Sequence, residues 1–220
     1  MQIRDYVYVS DTKIDMLFDQ IPVPLAKRIT ADLRIDLKVI SVSVKQAPTG
    51  QTRYAKLAVV ETFVREHLSL GTVDEGAPYV EGTLSMRWGP FGDDDAMVFF
   101  AGASEETVVG LGGSFGHVVG AAPPGAGLMW SAAPVIYRTL AGAGALSGAG
   151  DARADAPGGR AGSGDDDVWP RVVAQAARTL APPTERLEFL ARRIRRSEYQ
   201  VFGRSSVLLG SPIYVARDDQ

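Results

Sequence analysis

Hydrophobic and polar positions repeat along this chain with two periods, and the switch between them divides it. Tyr6-Val7-Tyr8-Val9, closed by Ser10, is a β-branched and aromatic run that predicts a short strand. The polar cluster Ser10-Asp11-Thr12-Lys13 stops it, and the spacing Ile14, Leu17, Phe18 predicts a turn of helix. Pro22 and Pro24 interrupt the chain. Leu25, Ile29, Leu33 and Leu37 then recur every fourth residue, with Lys27, Arg28, Asp32 and Asp36 on the other side, as in a helix. Residues 38–46 (KVISVSVKQ) alternate strictly and predict a strand with one dry face. After a turn at APTGQT, residues 52–69 predict a helix with Gly71 as its C′ residue.

From there the period is mostly two. Residues 78–88, 96–103 and 106–119 predict three strands separated by GPFGDDD and SEE, an antiparallel meander. Residues 128–141 predict a short helix, 168–180 and 184–196 two more divided by Pro182-Pro183, and VFGRSSVLLGSPIYVA a closing hairpin. Residues 109–118 and 206–215 echo one another, each placing Gly-Ser after an apolar run, so Ser114 matches Ser211 and His117 matches Tyr214. The echo reads as two strands bent by the same glycine device. The fold class that follows is α+β: a mixed, largely antiparallel sheet with helices mainly on one face.

Composition changes this picture in one place. Between 141 and 168, 16 of 28 residues are Gly or Ala, with no aromatic, so the segment buries too little to offset its ordering entropy. It is expected to be a flexible insertion in a single domain spanning 1–220. The charge is uneven: 12 Lys+Arg against 16 Asp+Glu over residues 1–150, but 9 against 5 over 171–220. A net charge of −3 disfavours nucleic acid or an acidic membrane as the main partner. The chain has no cysteine, which removes disulfides, thiolate nucleophiles and Cys-based zinc sites. No apolar run reaches the ~20 residues of a membrane span, and the expected location is cytoplasmic.

Candidate chemistry gathers at strand ends. Asp11 and Asp15 fall on one helical face with Lys13 between them, next to Ser10. That set reads either as a polar pocket floor or as a capping box, Thr12-x-x-Asp15, and the cap is the better fit to the pattern. Gly110 to Gly116 resembles a phosphate loop only superficially, because Phe115 stands where the third glycine belongs and no helix can open directly after it. A bent strand is the better reading. Ser114 and His117 lie three apart, which in a strand puts them on opposite faces, so a structural histidine is favoured over a nucleophile–base pair. Asp93-Asp94-Asp95 and Asp165-Asp166-Asp167 lack the alternation of a calcium loop and read as solvated turns, with no metal site. Arg192, Arg193, Arg195 and Arg196 would complement the C-terminus of the helix expected at 184–196, or, with Arg204, form a phosphate-binding patch. Arg87-Trp88, in MRWGPF, is a cation and an aromatic at a strand end, with Trp88 in the core or at a groove rim.

At YVYVSDTKIDML, MRWGPF, VVGLGGSFGHVVG and VLLGSPIYVA the chain resembles an uncharacterised, mostly actinobacterial family. The resemblance covers most of the chain outside the Gly/Ala-rich segment and implies one family unit spanning both ends; it brings no activity with it. The function expected is therefore a non-enzymatic ligand- or partner-binding module, with Ser10, Asp11, Lys13, Asp15, Arg87, Trp88, Ser114, His117 and Arg204 as candidate ligand-binding residues. The competing expectation is a hydrolase or nucleotide-processing enzyme with a polar site at the end of the first strand. A small molecule or a protein is the expected partner, nucleic acid is disfavoured, a homo-oligomer is left open, and no cofactor is identified.

Overall fold

The strand expected at the start of the chain forms over Asp5–Val9 (β1), and its partner comes from the other end of the sequence. A computed structural model describes residues 4–35, 50–91, 97–121, 168–181 and 183–218. After β1 come α1 (Asp11–Phe18), α2 (Val23–Asp32), α3 (Gly50–His67), β2 (Leu70–Thr72), β3 (Tyr79–Phe91), β4 (Met97–Ala103) and β5 (Thr107–Ser114). A 3-10 turn follows at Phe115–His117, then α4 (Val168–Thr179), β6 (Glu185–Ser197) and β7 (Ser206–Arg217). The chain divides into two compact units: residues 1–9 with 71–220, and residues 10–70.

The first unit is a sheet that closes on itself. The meander β3-β4-β5 pairs antiparallel as the sequence pattern implies. β5 then runs parallel to β7, with Thr107 opposite Ser206 and Leu111 opposite Gly210. β7 pairs antiparallel with β6, and β6 returns to β3, with Tyr79 opposite Arg192 and Met86 opposite Glu185. Five strands thus form a barrel with one parallel seam, an arrangement that leaves few open edges. Beyond the seam β1 takes the place of β5 beside β7, with Asp5 opposite Arg217 and Val9 opposite Tyr214. The two echoing segments are the two strands of that seam.

Alternation along each strand sorts residues between two cores. Inside the barrel lie Tyr8, Val98, Phe100, Val109, Leu111, Phe189 and Leu208. Outside it, α4 presents Trp169, Val173, Ala176 and Leu180, a helical stripe, against Phe99, Ala101, Val108, Val207 and Leu209. Burying each large apolar side chain of that stripe contributes roughly 1.5–3 kcal/mol. The glycine run at 110–116 is the end of β5 and the turn after it. Its glycines make room for neighbours rather than for a phosphate: a Cβ at Gly113 would overlap the Tyr8 side chain.

The second unit holds α1, α2 and α3. Its buried side chains include Ile14, Leu17, Ile29, Leu57, Val60 and Val64. Thr30, within α2, turns its hydroxyl back onto the Ala26 and Lys27 carbonyls, which keeps a buried polar group satisfied.

Four expectations need correction, the first being the closing hairpin: Ser206–Arg217 is one strand, β7, whose antiparallel partner across the turn is β6. Residues 184–196 form strand β6, not a helix. Leu187, Leu190 and Ile194 fit helical spacing, but Leu187, Phe189 and Ala191 fit period two equally well, and ladders with both β3 and β7 decide between them. Arg196 accordingly donates to the Val73 and Asp74 carbonyls and does not complement a helix end. Gly71 lies in β2 and is not among the residues with positive φ, so it is no left-handed cap. The capping box does not form either: α1 starts at Asp11, placing Thr12 inside its first turn, and Asp15 turns its carboxylate to Lys56. The strand expected at 38–46, the helix at 128–141, the segment 141–167 and both acidic triplets lie outside the described residues.

Candidate functional site

Arg87 and Trp88 are neighbours on β3, so alternation sends them to opposite faces. Trp88 stacks on Phe100 of the barrel interior, with ring centroids 5.7 Å apart, and its indole donates to Glu185 Oε1 at 3.1 Å. Arg87 faces the other way and lines a cavity of about 360 Å³ on the flank of the barrel. Its Nε donates to Thr184 Oγ1 at 3.4 Å. The cavity is floored by small residues of β4, Ala101, Gly102 and Ala103, and is also lined by Ala177 and Arg178 near the end of α4. The rest of the lining is Ser85, Val108 and Thr184 together with the β6–β7 connection, which supplies Phe202 and Arg204.

That connection spans residues 198–205 and has a two-residue turn at its tip. Val201 and Arg204 bond to each other in both directions, at 3.0 and 2.9 Å, and the residues between them, Phe202 and Gly203, have φ of 52° and 75°. Positive φ at both positions is the type I′ geometry that suits the twist of a hairpin. Glycine accepts it freely, whereas a phenylalanine there is strained by its Cβ. Phe202 is nonetheless held 43% exposed as a residue, and the Arg178 guanidinium lies 3.7 Å from its ring centroid. Arg204 is aimed by its Nε, which donates to the Ser104 carbonyl at 2.7 Å.

Ser104 is itself fixed by a partly buried polar network. Its hydroxyl donates to Asp74 Oδ1 at 2.7 Å, and Thr107 Oγ1 donates to the same oxygen at 2.6 Å. Thr107 and Ser206, both fully buried, share a hydrogen bond at 2.8 Å across the parallel seam. One carboxylate therefore anchors the β4–β5 turn, the start of β7 and, through Ser104, the Arg204 side chain.

The electrostatics of the cavity follow from these contacts. Among the described residues, Arg87 is held by a hydroxyl, Arg178 by an aromatic face and Arg204 by a carbonyl, with no carboxylate on any of the three. Several arginines elsewhere are neutralised, Arg4 by Glu188, Arg53 by Asp11 and Arg186 by Asp218 among them, whereas Arg171 meets the hydroxyl and ring of Tyr199. Arg217 lies between Asp5 and Glu185, 2.7 Å from each, and these bonds push its pKa up further. Three guanidinium groups around one small cavity create a positive potential suited to an anion.

The other expected site residues lie elsewhere. In the helical unit Asp11 pairs with Arg53 and Asp15 with Lys56, so both carboxylates tie α1 to α3. Buried Ser10 accepts a hydrogen bond from Lys13 Nζ at 3.4 Å, and burial lowers the Lys13 pKa to about 7. Ser114 ends β5 opposite Met97, on the side covered by α4. The His117 ring, one 3-10 turn later, packs edge-on against Tyr8 of the barrel interior, with ring centroids 5.9 Å apart. Of the nine candidates, Arg87 and Arg204 meet in the cavity.

The chain belongs to the family of unknown function DUF7019. The family's model matches residues 4–219, and so takes in every residue that lines the cavity. No curated protein and no solved structure matches the chain. Among the described residues, no helix is long and apolar enough to cross a membrane.

Sequence reading missed Arg178, Phe202 and Thr184. The dipeptide Phe202-Gly203 is a hairpin signal only when both flanks are strands, and taking 184–196 as a helix hid it.

Proposed function

We propose that this member of the family is a binding module for a small anionic ligand, held in the cavity by Arg87, Arg178 and Arg204. The observation that carries the reading is the convergence of three guanidinium groups, each held by a neutral neighbour, on a cavity of ligand size. Guanidinium forks match phosphate and carboxylate oxygens two at a time, and a dianion would answer more of this charge than a single carboxylate could. The family match across both ends of the chain supports treating it as one unit, with the Gly/Ala-rich stretch at 141–168 as an insertion.

The test is thermal unfolding of the full chain in rising inorganic phosphate, with ionic strength matched by sodium chloride. Binding to the folded state raises the midpoint by mass action, and the rise should grow steadily above the dissociation constant. The double variant Arg87→Gln with Arg178→Gln should lose that rise. An equal rise in the double variant, or none in the natural chain, would remove the support for an anion site here.

A further inference from the structure

We infer that the ligand is a phosphate monoester carrying a flat ring, of the mononucleotide class, with Phe202 as the platform on which the ring stacks. The inference rests on the anion-binding reading above and adds the other half of the ligand.

Phe202 is the starting point. The first central position of a type I′ turn suits asparagine, aspartate or glycine, and a bulky side chain there is strained. At φ 52° this turn holds a phenylalanine, and it leaves 43% of the residue open at the wall of the cavity. Strain kept at a ligand-sized cavity, by a ring that burial does not explain, is the pattern of a residue retained for what it touches.

The second observation is the stack already present. The Arg178 guanidinium carbon lies over the Phe202 ring, 3.7 Å from its centroid. That contact orients the ring and holds the guanidinium at the cavity without a counter-ion. A planar ligand ring continues such a stack, because every nucleobase presents a π face to an aromatic side chain. Its phosphate then falls among Arg87, Arg178 and Arg204.

The third is size. A cavity of about 360 Å³ stands at the low end of the roughly 300–1,000 Å³ range of ligand sites. The floor of Ala101, Gly102 and Ala103 carries no side-chain hydrogen-bonding group, the hydroxyls of Ser85 and Thr184 standing elsewhere in the lining. One ring and one phosphate fit that description better than a dinucleotide does, and a floor without donors gives little discrimination among bases.

Calorimetric titration of the full chain at low ionic strength tests this with four probes: adenosine 5′-monophosphate, ribose 5-phosphate, inorganic phosphate and adenosine. Stacking strengthens binding by roughly tenfold, so adenosine 5′-monophosphate should bind about that much more tightly than ribose 5-phosphate. The variant Phe202→Asn keeps a residue that favours the turn and therefore folds. It should bring adenosine 5′-monophosphate down to the level that ribose 5-phosphate shows on the same variant, while ribose 5-phosphate and inorganic phosphate lose equally whatever the Arg178 contact contributed. Equal binding of the two phosphate esters by the natural chain, or an adenosine 5′-monophosphate advantage that survives in Phe202→Asn, overturns the ring and leaves the anion site standing. Failure of all three phosphates to bind overturns the anion site itself.

Discussion

Gly110→Ala puts one methyl group into the seat of α4 on the barrel, and the packing there fixes what it meets. A Cβ at Gly110 would lie 2.5 Å from Phe99 Cζ and 2.8 Å from Val173 Cγ1, against the ~3.5–4.0 Å of ordinary carbon contacts. Phe99 and Val173 are both fully buried, so neither can rotate into solvent, and the helix or the strand must shift by about 1 Å. Overpacking of this kind costs about 1–3 kcal/mol. Replacing a strand glycine returns about 0.5–1 kcal/mol, so the midpoints of the two ranges leave a net loss of about 1 kcal/mol. Gly89 is the internal control. A Cβ there meets only Leu180 Cδ2, at 3.9 Å, so Gly89→Ala should be neutral or slightly stabilising. Guanidinium denaturation measures both, and a cycle with Val173→Ala measures the clash itself. The truncation should recover at least about 0.5 kcal/mol of the Gly110→Ala loss. Additive effects, or a neutral Gly110→Ala, would mean that α4 does not pack on β5 as described.

Three further outcomes follow from the same contacts. Lys13 has a folded pKa of about 7, below its ordinary value of 10.5, so between these limits the unfolded chain carries a proton that the folded chain lacks. Stability from this group therefore rises with pH by up to about 1.4 kcal/mol per unit above neutrality, and denaturation of Lys13→Met between pH 7 and 9 should show that slope removed; identical slopes would refute it. Asp74→Ala strips the acceptor from the Ser104, Thr107 and Ser206 network and should cost about 1–3 kcal/mol by thermal unfolding. Loss of phosphate binding alongside would follow if Ser104 aims Arg204, and undiminished stability would contradict the network. Phe202→Asn relieves about 1–2 kcal/mol of turn strain and gives up about 0.5–1 kcal/mol of contact with Arg178, so the variant should melt slightly higher; a clear fall would deny the strain.

The strands were legible where one period stood alone. Val98, Phe100 and Val109 alternate with residues that face α4, and the meander reads directly from that. Helix α4 was equally plain, from Trp169, Val173, Ala176 and Leu180. β6 was not, because its apolar residues satisfy both periods and only its partners on two sides choose between them. With β6 misread, closure of the barrel was invisible, and the turn that carries Phe202 and Arg204 read as the turn after a helix rather than as the join of two strands. The site was legible in part for the same reason. Arg87 and Arg204 could be marked as cations at strand ends, but their meeting depends on a parallel seam and a 97-residue separation between Arg87 and Thr184. The carboxylates of Asp11 and Asp15 attracted notice by their spacing, whereas Arg53 and Lys56, which neutralise them, stand on a different helix.

The most direct measurement of the central claim is a phosphate titration followed by the side-chain Nε–Hε resonances of the arginines. Arg87, Arg178 and Arg204 should shift together and saturate with one dissociation constant, while Arg53 and Arg217, already occupied by carboxylates, stay in place. Three unmoved cavity arginines, or a uniform drift of every arginine in the chain, would contradict it.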